Sequence, residues 1–356
     1  MYVPRSFFVY NRLLNNDTDL MTGLIPSMTP LVDRFGRTHD NLRISVTDRC
    51  NIRCVYCMPE SVEFLPKTEI LTFEELVRLS QVAASLGIRK IRLTGGEPLV
   101  RSSLWVLIEQ LAAIEGIRDI GLTTNGILLA DQALKLKLAG LKQLNISLDT
   151  LDPDRFLALT RRTGVESVLQ GIAAAQDAGF ERIKINAVAI KGFSEPDIVP
   201  LARFCRDQGL ELRFIEYMPL DAKDVWERSK VLLMDELIAS IESSVGPLVP
   251  VVGQDPNAPA LEFHYADGSG KIGFIASVSR PFCQSCNRVR ITADGKLRNC
   301  LFAVDETDLR SLIRSGASNE TLTQAFRNSV AEKWEGHEIN TSRFIKPDRL
   351  MHSIGG

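Results

Sequence analysis

From Asn41 onward, apolar and polar residues alternate in short runs, and between those runs apolar residues recur at helical spacing. The strand-like runs are Leu42–Val46, Lys90–Leu93, Ile117–Thr123, Gln143–Leu148, Arg182–Ile190 and Glu211–Tyr217. Helix-like stretches such as Phe73–Leu86, Leu104–Ile114, Val165–Ala178 and Pro196–Asp207 lie between them. Strand, helix and strand in succession predict βα units on a parallel sheet. Six such units are too many for a small domain and match most of a β/α barrel, so the expected fold is α/β with an incomplete parallel, TIM-like barrel. Near Pro247–Asp267 the composition shifts to Pro, Gly, Val and Asp and the rhythm stops. The chain therefore divides into an N-terminal extension or arm over 1–40, a partial barrel over 41–244 and a C-terminal region over 245–356.

Alternation also assigns side chains to faces. In Leu42-Arg43-Ile44-Ser45-Val46 the apolar set faces one side and Arg43 with Ser45 the other. The same split recurs in Ile91-Arg92-Leu93, in Ile183-Lys184-Ile185-Asn186-Ala187 and in Leu212-Arg213-Phe214. If the apolar sets face the helices, Arg43, Arg92, Lys184 and Arg213 point into the barrel. Buried unpaired charge is costly, so four inward cations call for a polyanion such as a triphosphate. The alternatives are internal salt bridges, to residues such as Glu97 and Glu216, or slipped registers.

Composition narrows the class. The 356 residues are 45% hydrophobic and 24% charged, ordinary values for a chain that buries a large core. Forty-two Lys and Arg against 44 Asp and Glu leave a net charge of -2, which gives no general case for nucleic-acid binding. No uncharged apolar run is long enough to span a membrane, and the first 30 residues lack the layout of a secretory signal. Arg5 and Arg12 leave a transit peptide open, although Asp17 and Asp19 are out of keeping with one. Met21 and Met28 are alternative starts.

Seven cysteines do not suit a disulfide framework, and their placement points instead to metal–thiolate chemistry in a reducing cytoplasm. Cys50, Cys54 and Cys57 form C-x3-C-x2-C directly after the first strand. Three thiolates leave one iron of a four-iron, four-sulfur cluster without a protein ligand, free to bind a substrate or cofactor. Zinc is the alternative, but it usually takes a fourth ligand and none lies nearby. Cys283, Cys286 and Cys300 form a second trio, C-x2-C-x13-C, with Asn287-Arg288-Val289-Arg290 between its last two members. A three-cysteine zinc knuckle is the alternative there. Cys205, in a helix-like stretch, is assigned to core packing, and His39, His264, His337 and His352 to structural or surface roles.

The first trio, followed one βα unit later by Thr94-Gly95-Gly96-Glu97-Pro98, resembles the radical S-adenosylmethionine (SAM) enzymes. The resemblance implies that the open iron chelates SAM, with Tyr56, Gly96, Ser147 and Met218 as SAM contacts. Together with the second trio and its Asn-Arg-x-Arg segment, the pattern from about Arg43 to Gly356 resembles the GTP 3′,8-cyclase family of molybdenum cofactor biosynthesis. That implies a second four-iron cluster on Cys283, Cys286 and Cys300 that binds the guanine of GTP. The GTP contacts carried over are Arg43, Arg92, Thr123, Lys184, Arg213, Arg288, Val289 and Arg290. Arg288 and Arg290 are the candidate catalytic residues, for orienting or protonating substrate, although a guanidinium is a poor acid. The implied product is (8S)-3′,8-cyclo-7,8-dihydroguanosine 5′-triphosphate, made through a 5′-deoxyadenosyl radical. Also implied are a homodimer, delivery of product to cyclic pyranopterin monophosphate synthase, and terminal glycines Gly355-Gly356 that reach the active site. Two rivals are a twin-cluster radical SAM enzyme acting on a peptide, which would need further cysteines after Cys300, and a non-catalytic zinc or iron–sulfur interaction protein.

Overall fold

The structure is a computed structural model that describes residues 30–221 and 225–355. Residues 1–29, with both alternative starts, and Gly356 lie outside the described residues. The chain opens with a short antiparallel pair, β1 (Leu31–Val32) and β2 (Thr38–His39). The predicted units follow as β3 (Asn41–Ser45), α1 (Phe73–Ser85), β4 (Lys90–Thr94), α2 (Leu104–Ala112) and β5 (Asp119–Thr124). After α3 (Ala133–Leu138) come β6 (Gln143–Ser147), α4 (Pro153–Thr160), α5 (Val165–Asp177), β7 (Ile183–Ala189), α6 (Glu195–Asp207) and β8 (Glu211–Glu216). Each of the six expected strands lies within two residues of its predicted ends.

Local chemistry fixes these boundaries. Thr72 caps α1 in a reciprocal box with Glu75, each side chain accepting from the other's backbone N–H. Asp152 caps α4 ahead of Pro153, whose missing N–H is no loss in the first turn. On every strand the apolar set, Leu42 and Ile44, Ile91 and Leu93, Leu144 and Ile146, Ile185, Phe214, packs into one core with the helices. The intervening positions face the opposite, concave side, as alternation requires.

The C-terminal region is not a separate module. After α7 (Met234–Ser244), β9 (Leu248–Pro250), β10 (Leu261–Tyr265) and β11 (Lys271–Ile275) extend the sheet beyond β8. The chain then crosses to the other edge, where β12 (Arg288–Ile291) pairs parallel with β3, and β13 (Lys296–Arg298) and β14 (Thr307–Asp308) follow. Among the described residues the result is one open sheet of twelve strands, eight of them a continuous parallel run from β12 to β11, an incomplete barrel. Periodicity missed β11 and β12 because neither directly follows a helix of the βα rhythm, β11 coming after the antiparallel β9 and β10, and because β12 is four residues long. The chain finishes with α8 (Leu309–Arg314), α9 (Asn319–Ala331) and the short α10 (Met351–Ile354).

Residues 31–39, expected to end an arm, are built into the fold. Leu31 is buried in the main core, and Arg37 is held by Asp33 at 2.6 Å. Its guanidinium also donates to the backbone carbonyls of Cys283, Trp334 and Glu335. That buttress lies 246 residues from Cys283, beyond the reach of any local pattern.

Candidate active site

The C-terminal ends of β3–β8 open into one cavity of about 1610 Å³, its mouth included. Cys50, Cys54 and Cys57 line it, on a loop where Cys57 N–H and Met58 N–H both donate to the Cys54 carbonyl at 3.0 Å. Two further loops are stitched to this one. Gly96 N–H donates to Thr47 O and Glu97 N–H to Arg49 O, both at 2.7 Å. A Cβ on Gly96 would overlap the Asp48 and Arg49 carbonyls, so only glycine permits this approach. The Glu97 carboxylate is buried and accepts from Leu99 N–H, Thr124 O–H and Asn125 N–H. Asn125 in turn donates to Asn51 and lies 3.8 Å from the Cys50 sulfur.

This end of the cavity is poor in cations. Burial pushes the Cys50 thiol up to about 11 and Cys57 to about 12, and Cys54 well above its ordinary range. Burial also raises Glu97 to about 7 and Asp149 to about 6. Asp149 accepts the Tyr56 hydroxyl at 2.8 Å and Val188 N–H at 2.7 Å, which fixes the Tyr56 ring against the cavity. Gly96, Ser147 and Met218 line the same space. Asn186 lines it too, and its Oδ1 is buried with no hydrogen-bond partner, an acceptor awaiting a ligand donor. Asp149 and Asn186 went unnoticed in the sequence, because a lone Asp or Asn at a strand end carries no pattern.

The opposite end is cationic. Register sets Arg290, Arg43 and Arg92 side by side on β12, β3 and β4. The Arg43 side chain makes no hydrogen bond or ion pair among the described residues. Burial first, then Arg290, Arg288 and Arg92, hold its guanidinium well below its ordinary value. Arg92 reaches the amide oxygens of Asn145 and Gln143, and a Cβ on its neighbour Gly121 would overlap its guanidinium.

The other two strand cations are internally paired. Arg213 lies 2.5 Å from Glu211 and 2.6 Å from Glu262, and Lys184 lies 3.5 Å from Glu211. Salt bridges thus account for half of the inward set, but not with the partners expected: Glu97 and Glu216 are both spent on backbone N–H groups. Arg43, Thr123, Arg213, Arg288 and Arg290 line the cavity, whereas Arg92 and Lys184 stand outside its lining. Val289 points the other way, fully buried in the helix-side core, because it alternates with Arg288 and Arg290. Only its backbone is left for a ligand.

The second trio stands behind Phe282, Arg288 and Leu301, which line the cavity in its place. Cys283 faces an outer pocket with Trp334 and His337. Burial pulls the Cys286 thiol up, but Lys333 and Arg288 outweigh it and bring it down to about 7. No three His, Cys, Asp or Glu side chains among the described residues converge as they would around a single metal ion. All six cysteines are free thiols, half-buried in open cradles, a donor set suited to iron–sulfur ligation.

The C-terminal tail closes the site. Arg290 donates to the Gly355 carbonyl at 3.1 Å, and a Cβ on Gly355 would lie 2.9 Å from the Thr94 side chain and 3.0 Å from that of Ser45. His352, assigned from sequence to a structural or surface role, lines the cavity 3.5 Å from the Cys57 carbonyl. Cys205 is buried in the core, as expected.

Residues 44–205 match the radical SAM superfamily, and residues 210–339 match Molybdenum Cofactor Synthesis C. The chain is 52% identical to a GTP 3′,8-cyclase of Rhodopirellula baltica over 330 residues, covering 92% of each. It is 47% identical to one of Corynebacterium glutamicum over 337 residues, covering 92% of this chain and 89% of that one. Among solved structures, Streptococcus suis SuiB bound to S-adenosylmethionine shares the fold, with a TM-score of 0.57 at 16% identity over 84% of this chain and 68% of that one. With such identity over nearly the whole of both chains, the protein belongs to the GTP 3′,8-cyclase family of the radical SAM superfamily.

Proposed function

We propose that this protein converts GTP to (8S)-3′,8-cyclo-7,8-dihydroguanosine 5′-triphosphate, the first step of molybdenum cofactor biosynthesis, using SAM and two four-iron clusters. The observation that carries the reading is the row Arg290–Arg43–Arg92, three guanidiniums on adjacent strands with no carboxylate among their hydrogen-bond partners. Like charges directly opposite one another destabilise a sheet, and a triphosphate removes that penalty.

Cys50, Cys54 and Cys57 hold the first cluster, and Cys283, Cys286 and Cys300 the second. When bound, a cluster on the first trio would supply the electron for reductive cleavage of SAM, the source of the radical that would take the ribose 3′ hydrogen. The residues of the chain position and exclude. Tyr56, fixed by Asp149, presents its ring to the adenine, and the Gly96 backbone approaches the methionyl group. Ser147 and Met218 complete the SAM contacts. The charge pattern fits this order: SAM, a sulfonium cation, lies at the carboxyl-rich end and the triphosphate at the guanidinium-rich end. Arg43, Arg92 and Arg290 grip phosphate, with Thr123 beside them. Lys184 and Arg213 join after exchanging Glu211 and Glu262 for phosphate oxygens. Arg288, over Phe282 and beside Cys286, orients the guanine at the second cluster, with the Val289 backbone next to it. The inserted tail shields the reacting carbon from solvent. A cytoplasmic homodimer that passes its product to cyclic pyranopterin monophosphate synthase completes the proposal.

The test is anaerobic turnover of reconstituted protein with SAM and GTP under reduction, followed by mass spectrometry. Deoxyadenosine together with the cyclised nucleotide is the expected result. Deoxyadenosine with unaltered GTP would sink the substrate assignment.

A further inference from the structure

One buried cation has no place in the reading above. Lys333 follows the end of α9 and is only 2% exposed. Its ammonium donates to the Arg288 carbonyl at 2.7 Å and lies 3.6 Å from the Cys286 sulfur. Its electrostatic neighbours are Cys286, Cys300 and Arg37, with no carboxylate among them. Burying an ammonium without an anion is expensive. Among its leading electrostatic neighbours in the described residues, the groups able to carry the compensating charge are the cysteine sulfurs and whatever they hold. Beside the first trio the arrangement differs: Arg53 donates to the Cys50 carbonyl at 2.7 Å, and the group 3.8 Å from the Cys50 sulfur is the neutral amide of Asn125.

An iron–sulfur cluster gains negative charge on reduction, and its potential follows local charge and hydrogen bonds to sulfur. We propose that Lys333 is a positioning residue for the second cluster, its ammonium hydrogen-bonded to the Cys286 sulfur, stabilising the reduced form and holding this cluster's reduction potential above that of the first. The inference rests on the two-cluster reading. By gripping the Arg288 carbonyl, the same side chain also fixes the start of β12, which links cluster potential to the register of Arg288 and Arg290.

The experiment is a redox titration of anaerobic holoenzyme followed by electron paramagnetic resonance, in parallel with iron counts. The two signals are told apart by their responses to SAM and to GTP. In Lys333→Met, the reduced-to-oxidised ratio of the second cluster at fixed potential should fall roughly tenfold, about 59 mV for one electron. The first cluster should not move, and Lys333→Arg should restore most of the loss. Unmoved potentials with about eight irons per chain retained would overturn the inference and leave the proposed function standing. About four irons in the unaltered protein would overturn the two-cluster reading instead. If Lys333→Met sheds the second set of irons, Lys333→Gln, which keeps a donor without the charge, gives the same comparison. Shedding by both, but not by Lys333→Arg, would assign Lys333 to holding the cluster and overturn a role in its potential.

Discussion

The two cysteine trios are alike in number and opposite in surroundings. Cys50, Cys54 and Cys57 sit on one short loop beside buried Glu97 and Asp149, and burial drives all three thiols up. Cys283, Cys286 and Cys300 come from two segments around β12 and are ringed by Arg37, Arg288, Arg290 and Lys333. On the proposed function, buried Glu97 and Asp149 at one end of a single cavity and unpaired guanidiniums at the other would sort a sulfonium cofactor from a triphosphate before any specific contact forms. Three-cysteine ligation would leave an open iron at each trio, and on the proposed function the surrounding charge would decide what binds there.

The sharpest break of this comparison is removal of either trio. Cys54→Ala should reduce deoxyadenosine formation by about a thousandfold or more, since a cluster held by three thiolates loses an anchor. Cys286→Ala should abolish the cyclised nucleotide while leaving SAM cleavage and the first cluster's spectrum intact. Chromatography of both products from the same anaerobic reaction checks the pair, and loss of deoxyadenosine in Cys286→Ala would mean the two ends are not independent.

The first trio stands out in the sequence because its cysteines lie within eight residues on a loop that a periodic strand introduces, and the structure sets all three along the cavity. Orientation of Arg43, Arg92, Lys184 and Arg213 was legible for the same reason, since alternation fixes a face without knowing the neighbours. Their partners were not. Glu262 reaches Arg213 from β10, 49 residues away, on a strand lying outside the βα rhythm. Arg37 and Lys333 carry no pattern in the sequence, and His352 reads there as structural or surface, because each acquires its role from contacts across 45 residues or more. The continuity of the C-terminal region with the barrel was hidden likewise, because β11 and β12 join opposite edges of a sheet that sequence order presents as finished.

The next effect in size separates the two kinds of inward cation. Arg43 has no anionic partner, whereas Lys184 is already paired with Glu211. Arg43→Met should weaken GTP binding by roughly tenfold or more, the worth of one charge-assisted hydrogen bond. The same change should raise the unfolding temperature of nucleotide-free protein, because it removes a buried charge that other guanidiniums repel. Lys184→Ala should weaken GTP binding less, roughly threefold to tenfold, and lower the unfolding temperature. Calorimetric titration with GTP and guanosine, beside thermal melts, reads both. Equal affinity for the two ligands would return all four cations to a purely structural role.

The smallest effect concerns pH, and it has opposite signs at the two ends. His39, wholly buried with its Nε2 3.7 Å from Asp33, is held down to about 3 by burial first and then by Lys333, which together outweigh Asp33. Its folded value is therefore below its unfolded one, so the unfolded chain binds the extra proton between about pH 6.5 and pH 3. Stability is lost as pH falls through that window, by about 1.4 kcal/mol per unit once well below 6.5. Glu97 and Asp149 are raised to about 7 and about 6, so there the folded state binds more protons, and stability is lost as pH rises from the ordinary carboxyl range through those values. Between pH 6.5 and 5 the two ends thus pull against each other. His39→Leu should leave the carboxyl contribution alone, so that nucleotide-free protein becomes more stable on acidification from pH 7 to 5. Asp149→Asn removes one of the two carboxyl contributions that oppose His39, so its stability should gain less over the same interval than that of the unaltered protein. Urea melts at half-unit steps of pH distinguish these slopes, and identical slopes in the two variants would mean that the contrast in charge does not extend to folding.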